Sequence, residues 1–281
     1  MTELPPELVD GLRVTAVTPV SGGDIARAYR LTTPDGPLFL KTRADPMPSL
    51  FEREAASLRA LRATSAIAVP EVLREHEAGL VLEWIDVGGR TPTSEADLGR
   101  RLAALHRTTN DLFGALDGWP APYIGSQPVD LTPTDDWASF YVERRVLPLT
   151  RRAVETGRLD PQALRHAERA AGRARELCGP PEPPALLHGD LWAGNRLVDR
   201  SGTNWLIDPA TYWGHREVDL AMMQLFGGFG PDTFTAYDEA HPLAAGWRDR
   251  VPWYQLVPLL VHTVLFGGAY GPAAMDVLTT S

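Results

Sequence analysis

The stretch that decides the fold is HGDLWAGN at residues 188–195, followed downstream by LIDPA at residues 206–210. Phosphoryl transfer from a nucleoside triphosphate needs a carboxylate for the attacking hydroxyl, oxygen ligands for a metal ion and a cation on the phosphates. Asp190 can accept the hydroxyl proton, and Asn195 and Asp208 offer the oxygen atoms that Mg²⁺ prefers. A strand–loop–strand hairpin would bring these side chains together. Their order favours a catalytic loop over unrelated turn and cap residues.

Two charged residues upstream fit the same chemistry. Lys41 ends an apolar strand, and Glu54 lies three residues after Phe51 and four before Leu58, inside the apolar stripe of a predicted helix. An unpaired buried carboxylate is costly, so Lys41 is its expected partner. Such a pair would aim the ammonium group at the α- and β-phosphates. The alternative is that Glu54 lies at the margin of the stripe and is solvated.

The nucleotide could also meet backbone groups. Gly22 and Gly23, in SGGD at residues 21–24, could cover the phosphates with N–H groups, although a Gly-Gly hairpin turn is often purely structural. Glu83 and Ile85 lie where two parts of the chain would join, and their backbone could pair with the adenine. This last assignment rests on position alone.

The order of the patterns predicts an α+β fold with two lobes. Residues 1–86 read as a nucleotide-binding lobe with an antiparallel sheet and one helix, for which Ser49 and Glu52 form a capping box. Residues 87–281 read as a mostly helical catalytic and substrate-binding lobe, including one helix that runs from Trp137 to Leu147.

Composition limits the possible partners. The chain has 281 residues, a net charge of −9 and a single cysteine, Cys178, so no intrachain disulfide is expected. An acidic surface argues against binding nucleic acid or anionic membranes. The longest apolar run, residues 257–266, is too short to span a bilayer, and the N-terminus does not resemble a signal peptide. We expect a cytoplasmic protein.

The two motifs resemble the catalytic and metal-binding loops of aminoglycoside phosphotransferases and choline kinases, which have a protein-kinase-like fold. Further segments narrow the resemblance to the fructosamine (ketosamine) kinase family, and they run in order over nearly the whole chain. These are SGGDIARAY at 21–29, YIGSQ at 123–127, DWASFYVERR at 136–145, DPATYWGHREVDLAMMQLFGGF at 208–229 and LFGGAY at 265–270.

The resemblance implies a role for each site residue. Asp190 would be the catalytic base, Asn195 and Asp208 the magnesium ligands, and Lys41 with Glu54 the pair that anchors ATP. Further residues would support the loop or contact the sugar: His188 and Asp219 for the first task, Trp192 and His215 for the second. Core packing is the alternative for the aromatic rings.

The resemblance also implies a substrate. Enzymes of this family phosphorylate the C3 hydroxyl of sugar ketoamines such as fructoselysine and ribuloselysine, and the unstable product sheds its sugar. Two positions depart from the family pattern, because Ala26 and Asp130 stand where relatives often have asparagine.

Other functions stay open. A related kinase could act on an aminoglycoside or an amino alcohol, which the acidic composition would suit equally well. A pseudokinase that binds nucleotide without turnover would not need a base at Asp190. The oligomeric state is unknown, and a monomer is expected.

Overall fold

The computed structural model of the protein describes residues 4–20, 26–45, 47–116 and 127–281, together with the backbone of residues 123–124. The chain forms two compact units. The first contains Met1–Ser94 and Gly194–Pro209, and the second contains Glu95–Ala193 and Ala210–Ser281. The lobe boundary after residue 86 stays a prediction. The first unit also includes a segment from late in the chain, Gly194–Pro209.

The first unit is built on a five-stranded antiparallel sheet in the order β1-β2-β3-β5-β4. This confirms the predicted antiparallel sheet. The β2–β3 hairpin is closed by a two-residue turn in front of Gly36, whose φ of 121° suits glycine. The strands are β1 Ala16–Val20, β2 Arg27–Thr33, β3 Gly36–Thr42, β4 Val72–His76 and β5 Gly79–Glu83.

One face of the sheet carries a small apolar core. Its buried members are Leu8, Tyr29, Leu31, Leu40 and Val81. Alternate residues of a strand point to the same face, which is why Tyr29 and Leu31 are buried together on β2. Leu8 comes from a four-residue helix, α1 (Pro6–Val9), which the sequence did not predict because one turn is too short to show periodicity.

Helix α2 spans Leu50–Ala63 and is the predicted helix of this unit. Phe51, Leu58 and Leu61 are buried on one face, as their spacing requires. The predicted capping box is wrong. Ser49 has a φ of 61° and its side chain makes no capping hydrogen bond. The hydroxyl of an N-cap residue reaches the N–H groups of the first turn when the backbone of that residue is extended. A left-handed backbone directs the hydroxyl away from these groups.

The second unit is mostly helical, as predicted. Within the described ranges, no helix is both long and apolar enough to cross a membrane. Short strand pairs, Ala185–Leu186 with Trp213–Gly214 and Tyr123–Ile124 with Gln127–Pro128, accompany the helices. The α-helices are Ser94–His106, Trp137–Tyr141, Leu147–Glu155, Gln162–Gly172, Ala174–Cys178, Glu217–Leu225, Pro231–Ala240, Trp247–Phe266 and Tyr270–Thr280.

A π-helix interrupts one predicted helix. The segment from Trp137 to Leu147 contains five π-helical residues, Val142–Val146, between two α-helices. A π-turn adds a residue to the turn and shifts the side chains that follow, which periodicity alone does not reveal. The result is that Arg145 lies in the core, with an exposure of 2%.

The late segment Gly194–Pro209 completes the first unit. Its strands Arg196–Val198 and Asn204–Leu206 pair with each other. The N–H of Leu206 donates to the Ala68 carbonyl at 2.9 Å, and the N–H of Gly88 donates to the Val198 carbonyl at 2.8 Å. These hydrogen bonds satisfy backbone groups of the N-terminal residues, which explains why Gly194–Pro209 belongs to the first unit.

We expect two glycine substitutions in helices to have opposite effects. A Cβ on Gly99 would collide with the Thr233 carbonyl oxygen, so Gly99→Ala should destabilise the protein by about 1–3 kcal/mol despite the better helix propensity of alanine. A Cβ on Gly172 meets nothing within 4 Å, so Gly172→Ala should stabilise by up to about 1 kcal/mol. Urea denaturation of both variants checks this, and a stable Gly99→Ala protein would contradict the close helix approach.

Candidate active site

Lys41, near the end of strand β3, is the centre of the charged cluster in the first unit. Its Nζ lies 2.9 Å from Glu54 Oε2 and 2.9 Å from Asp208 Oδ1. The side chains of Lys41 and Glu54 are 14% and 9% exposed, whereas that of Asp208 is 35% exposed. The structure thus brings together Lys41 and Glu54, as their positions in strand and helix suggested, and adds a second carboxylate.

The cluster contains one ammonium group and two carboxyl groups. Burial lowers the pKa of Lys41, but the two carboxylates more than offset this effect and leave the pKa above its usual value. Burial raises the pKa of Glu54 to about 7, although the Lys41 ammonium opposes the change. Glu54 Oε1 is buried without a hydrogen-bond partner among the described residues. With both carboxylates ionised, the cluster has one excess negative charge, which a further cation would offset.

Asp208 and Asn195 lie on adjoining parts of one hairpin. Asp208 follows the strand Asn204–Leu206 and has a φ of 52°, which costs a non-glycine residue about 1–3 kcal/mol and is typical of functional sites. The N–H of Ile207 donates to the Asn195 carbonyl at 3.0 Å. This backbone bond places the two predicted metal ligands on neighbouring strand ends.

These residues fit a magnesium ion. Mg²⁺ is usually held by one or two carboxylates together with phosphate oxygens and water. Asp208 supplies a partly exposed carboxylate and Asn195 an amide oxygen, and both are oxygen ligands that Mg²⁺ accepts. Across the described part of the chain, no three His, Cys, Asp or Glu side chains are grouped as a metal site. A metal here would therefore take much of its coordination from a phosphorylated ligand.

The HGD loop in the second unit is held by the buried carboxylate of Asp219, which is 0% exposed. Asp219 Oδ2 accepts from the His188 N–H at 2.7 Å, and Oδ1 accepts from the Gly189 N–H at 2.9 Å. The N–H of Asp190 is 3.3 Å from His188 Nδ1. Gly189 has a φ of 85°, a conformation that favours glycine. The loop that presents Asp190 is therefore fixed at consecutive backbone positions.

Two residues behind Asp219 were missed by the sequence reasoning. His106 Nε2 lies 3.2 Å from Asp219 Oδ2, and His106 Nδ1 lies 2.8 Å from the Tyr237 hydroxyl. An ionised carboxylate only accepts, so Nε2–H donates to Asp219; in the neutral imidazole Nδ1 then accepts from the Tyr237 hydroxyl. A signal was available in the sequence, because His106 follows the apolar positions Leu98, Leu102 and Leu105 of its helix and would need a buried partner.

This chain of hydrogen bonds keeps Asp219 ionised. Burial would raise the pKa of Asp219, but the hydrogen bond from His106, the nearby imidazoles and the Gly189 N–H hold it below its usual value. Hydrogen bonds to a charged acceptor are stronger than neutral ones. Asp219 therefore remains a rigid anchor for the loop at neutral pH.

The two predicted sugar contacts have different environments. Trp192 is 40% exposed and touches the ring of Phe226 edge-on, with centroids 6.2 Å apart. His215 is 2% exposed and stacks on Tyr254 with centroids 5.3 Å apart. Burial lowers the pKa of His215 to about 4, so its imidazole is neutral. The surroundings of Trp192 suit a ligand contact, whereas those of His215 favour core packing.

The predicted adenine and phosphate contacts on the backbone stay predictions. The N–H of Glu83 donates to the Glu71 carbonyl at 2.9 Å, and Glu83 Oε2 accepts from the Glu71 N–H at 3.2 Å. Ile85 follows strand β5 and is 8% exposed. Gly22 and Gly23 lie outside the described residues.

A lysine bound to two carboxylates, an HGD loop anchored by a buried aspartate, an antiparallel sheet unit and a helical unit define a phosphotransferase of the protein-kinase-like fold. The same fold occurs in a macrolide 2'-phosphotransferase from Brachybacterium faecium, with a TM-score of 0.59 and 16% identity over 96% of this chain and 94% of that one. At this identity the likeness shows the fold alone. The fold class expected from the sequence is confirmed.

The chain belongs to the fructosamine kinase family, whose model matches residues 3–281. A candidate ketoamine kinase from Enterococcus faecium is 37% identical over 91% of both chains. A chloroplastic protein-ribulosamine 3-kinase from Arabidopsis thaliana is 34% identical over 95% of this chain and 82% of its own. The crystal structure of a candidate fructosamine-3-kinase from Thermobifida fusca has a TM-score of 0.90 and 41% identity, with 98% and 95% of the chains covered.

The anchoring role of Asp219 predicts a particular pH dependence. Because its folded pKa is lowered, the stability from the charged carboxylate is complete above the unfolded pKa of about 4 and is lost as pH falls through the folded value. Asp219→Asn places an NH₂ group where two N–H donors point, so it should cost about 3 kcal/mol at pH 7. Denaturation at several pH values should show this cost shrinking below about pH 4.

Asp276→Asn is the matched control, since Asp276 is exposed on the last helix. It should leave the stability at pH 7 near the wild-type value. A constant difference between Asp219→Asn and the wild type down to acid pH would contradict the charged anchor.

Proposed function

We propose that the protein is an ATP-dependent kinase that phosphorylates the C3 hydroxyl of sugar ketoamines, including glycated lysine. The observation that carries the proposal is the bridge from Lys41 Nζ to Glu54 and Asp208, at 2.9 Å each. A buried lysine fixed by a helix carboxylate and shared with a second, partly exposed one is arranged to contact phosphates and a metal ion. The names of the relatives support the ketoamine as acceptor.

Each residue has a distinct part in the proposed reaction. Asp190 accepts the proton of the sugar hydroxyl as that oxygen attacks the γ-phosphorus of ATP in line with the departing ADP. Lys41 binds the α- and β-phosphate oxygens, and Glu54 keeps its ammonium group in place. Asn195 and Asp208 hold magnesium, which when bound neutralises the negative charge of the phosphates.

The acceptor site is proposed from exposure and charge. Trp192 lies two residues after Asp190 and presents an indole face on which the C–H groups of a sugar can stack. The net charge of −9 suits an acceptor that carries an ammonium group, as a glycated amine does. Use of ATP, dependence on magnesium and a cytoplasmic location belong to the same proposal.

Removal of the proposed base should abolish turnover. Asp190→Ala should lower kcat by at least about 100-fold, because proton transfer is lost, while ATP binding is kept. The measurement is ADP release with Mg²⁺ on fructoselysine, ribuloselysine, kanamycin and choline, with calorimetric titration of ATP alongside. Near-normal turnover of the variant would remove Asp190 as the base.

The substrate panel separates the candidate functions. Turnover by the wild type on a ketoamine alone supports the proposal. Turnover on kanamycin or choline instead would overturn the acceptor and keep the mechanism. ATP binding without turnover on any of them would favour a pseudokinase.

The metal role of Asp208 predicts a change in binding as well as activity. Asp208→Asn keeps the size of the side chain and a contact for Lys41, but it removes one negative charge. We expect nucleotide affinity in the presence of Mg²⁺ to fall about tenfold or more, and affinity in EDTA to change little. Titration of ATP under both conditions checks this, and an unchanged response to Mg²⁺ would contradict the assignment.

A further inference from the structure

Arg145 is an unusual buried cation that the proposed chemistry does not use. It lies on the π-helix Val142–Val146 and is 2% exposed. Among the described residues, its Nη1 group has no hydrogen-bond partner. A buried guanidinium is costly unless something compensates its charge. Packing volume alone therefore does not explain why a charged side chain occupies this buried position.

Two aromatic rings contact the guanidinium group, and the Asp130 carboxylate acts on it as a nearby charge. The guanidinium carbon of Arg145 lies 5.1 Å from the ring centroid of Phe140 and 5.4 Å from that of Tyr212. The two rings are nearly parallel, with centroids 6.2 Å apart. A cation at these distances is attracted by the negative faces of the rings, and more strongly where water is excluded.

Tyr212 in turn packs against the HGD loop. Its carbonyl accepts from the Leu187 N–H at 3.1 Å. A Cβ built on Gly189 would lie 2.1 Å from the Ala210 carbonyl oxygen and, at ordinary van der Waals distance, 3.4 Å from Tyr212 Cδ1. A Cβ built on Gly214 would lie 2.7 Å from Tyr212 Cε2. The ring therefore lies close to two glycines, and one of them immediately precedes the proposed base.

We propose that Arg145 is a positioning residue, whose charge holds the Tyr212 ring against Gly189 and so fixes the backbone that presents Asp190. Asp219 holds this backbone through hydrogen bonds, and Tyr212 holds it through contact. The inference rests on the proposed role of Asp190 as the base. It explains why a cation occupies the core, because an apolar side chain would fill the volume without attracting the ring.

The decisive variant is Arg145→Met, which keeps an unbranched side chain and removes the charge. Replacing a buried charge by an apolar group is often neutral or stabilising, so Tm should stay the same or rise. We expect kcat for a ketoamine to fall about tenfold while KM for ATP is unchanged. Arg145→Lys, which restores the charge without the planar group, should recover part of the rate.

Arg151→Met is the matched control. Arg151 is an exposed cation on the helix Leu147–Glu155, which follows the π-helix. Its loss should leave kcat near the wild-type value. Tyr212→Leu should lower kcat as Arg145→Met does, Tyr212→Phe should keep more activity than Tyr212→Leu, and the Arg145→Met/Tyr212→Leu double variant should lose no more than either single one.

Hydrogen exchange separates this inference from the proposed function. The Gly189 N–H is bound to Asp219, so its exchange should be slow in the wild type and faster in Arg145→Met, whatever the substrate. Wild-type turnover with an unchanged kcat in Arg145→Met would overturn the positioning role alone. Equal Gly189 exchange in the two proteins would overturn it even if no substrate is turned over. Loss of activity in strict proportion to loss of folded protein would do the same.

Discussion

The buried carboxylate of Asp219 is the constraint on which the conformation of the HGD loop depends. A charge at 0% exposure is tolerated only when every nearby donor serves it, and here backbone N–H groups and His106 do so. The consequence is a loop with little freedom. Gly189 has a left-handed conformation, and the absence of its side chain leaves room for the Ala210 carbonyl oxygen, which a Cβ would approach to 2.1 Å.

The charge cluster at Lys41 follows the opposite logic. The buried carboxylate of Asp219 accepts hydrogen bonds from donors around it. The ammonium group of Lys41 instead forms ion pairs with two carboxylates that differ in exposure. Glu54 is the fixed partner on helix α2. Asp208 is the accessible one and has a backbone conformation that is held at a cost. This inequality suits a site that must exchange a protein contact for a ligand contact during each turnover.

The sequence predicted those features that local patterns express. Glu54 lies in the apolar stripe of its helix, which predicted that its carboxylate would need a charged partner. The HGD and LIDPA segments contain the residue types of the site in the expected order. Features that depend on distant contacts escaped. Tyr237 and His106 are 131 positions apart, and nothing local joins them. The π-turn before Leu147 and the left-handed conformation of Ser49 are features of the backbone, and the periodicity of side chains does not predict them.

The path of the chain through the two compact units has a consequence for biosynthesis. The first unit contains Gly194–Pro209 as well as the N-terminal residues, and the Ala68 carbonyl and the Gly88 N–H form backbone hydrogen bonds with that late hairpin. During synthesis these two backbone groups therefore emerge before their partners exist, because more than a hundred further residues must be translated before the hairpin is complete.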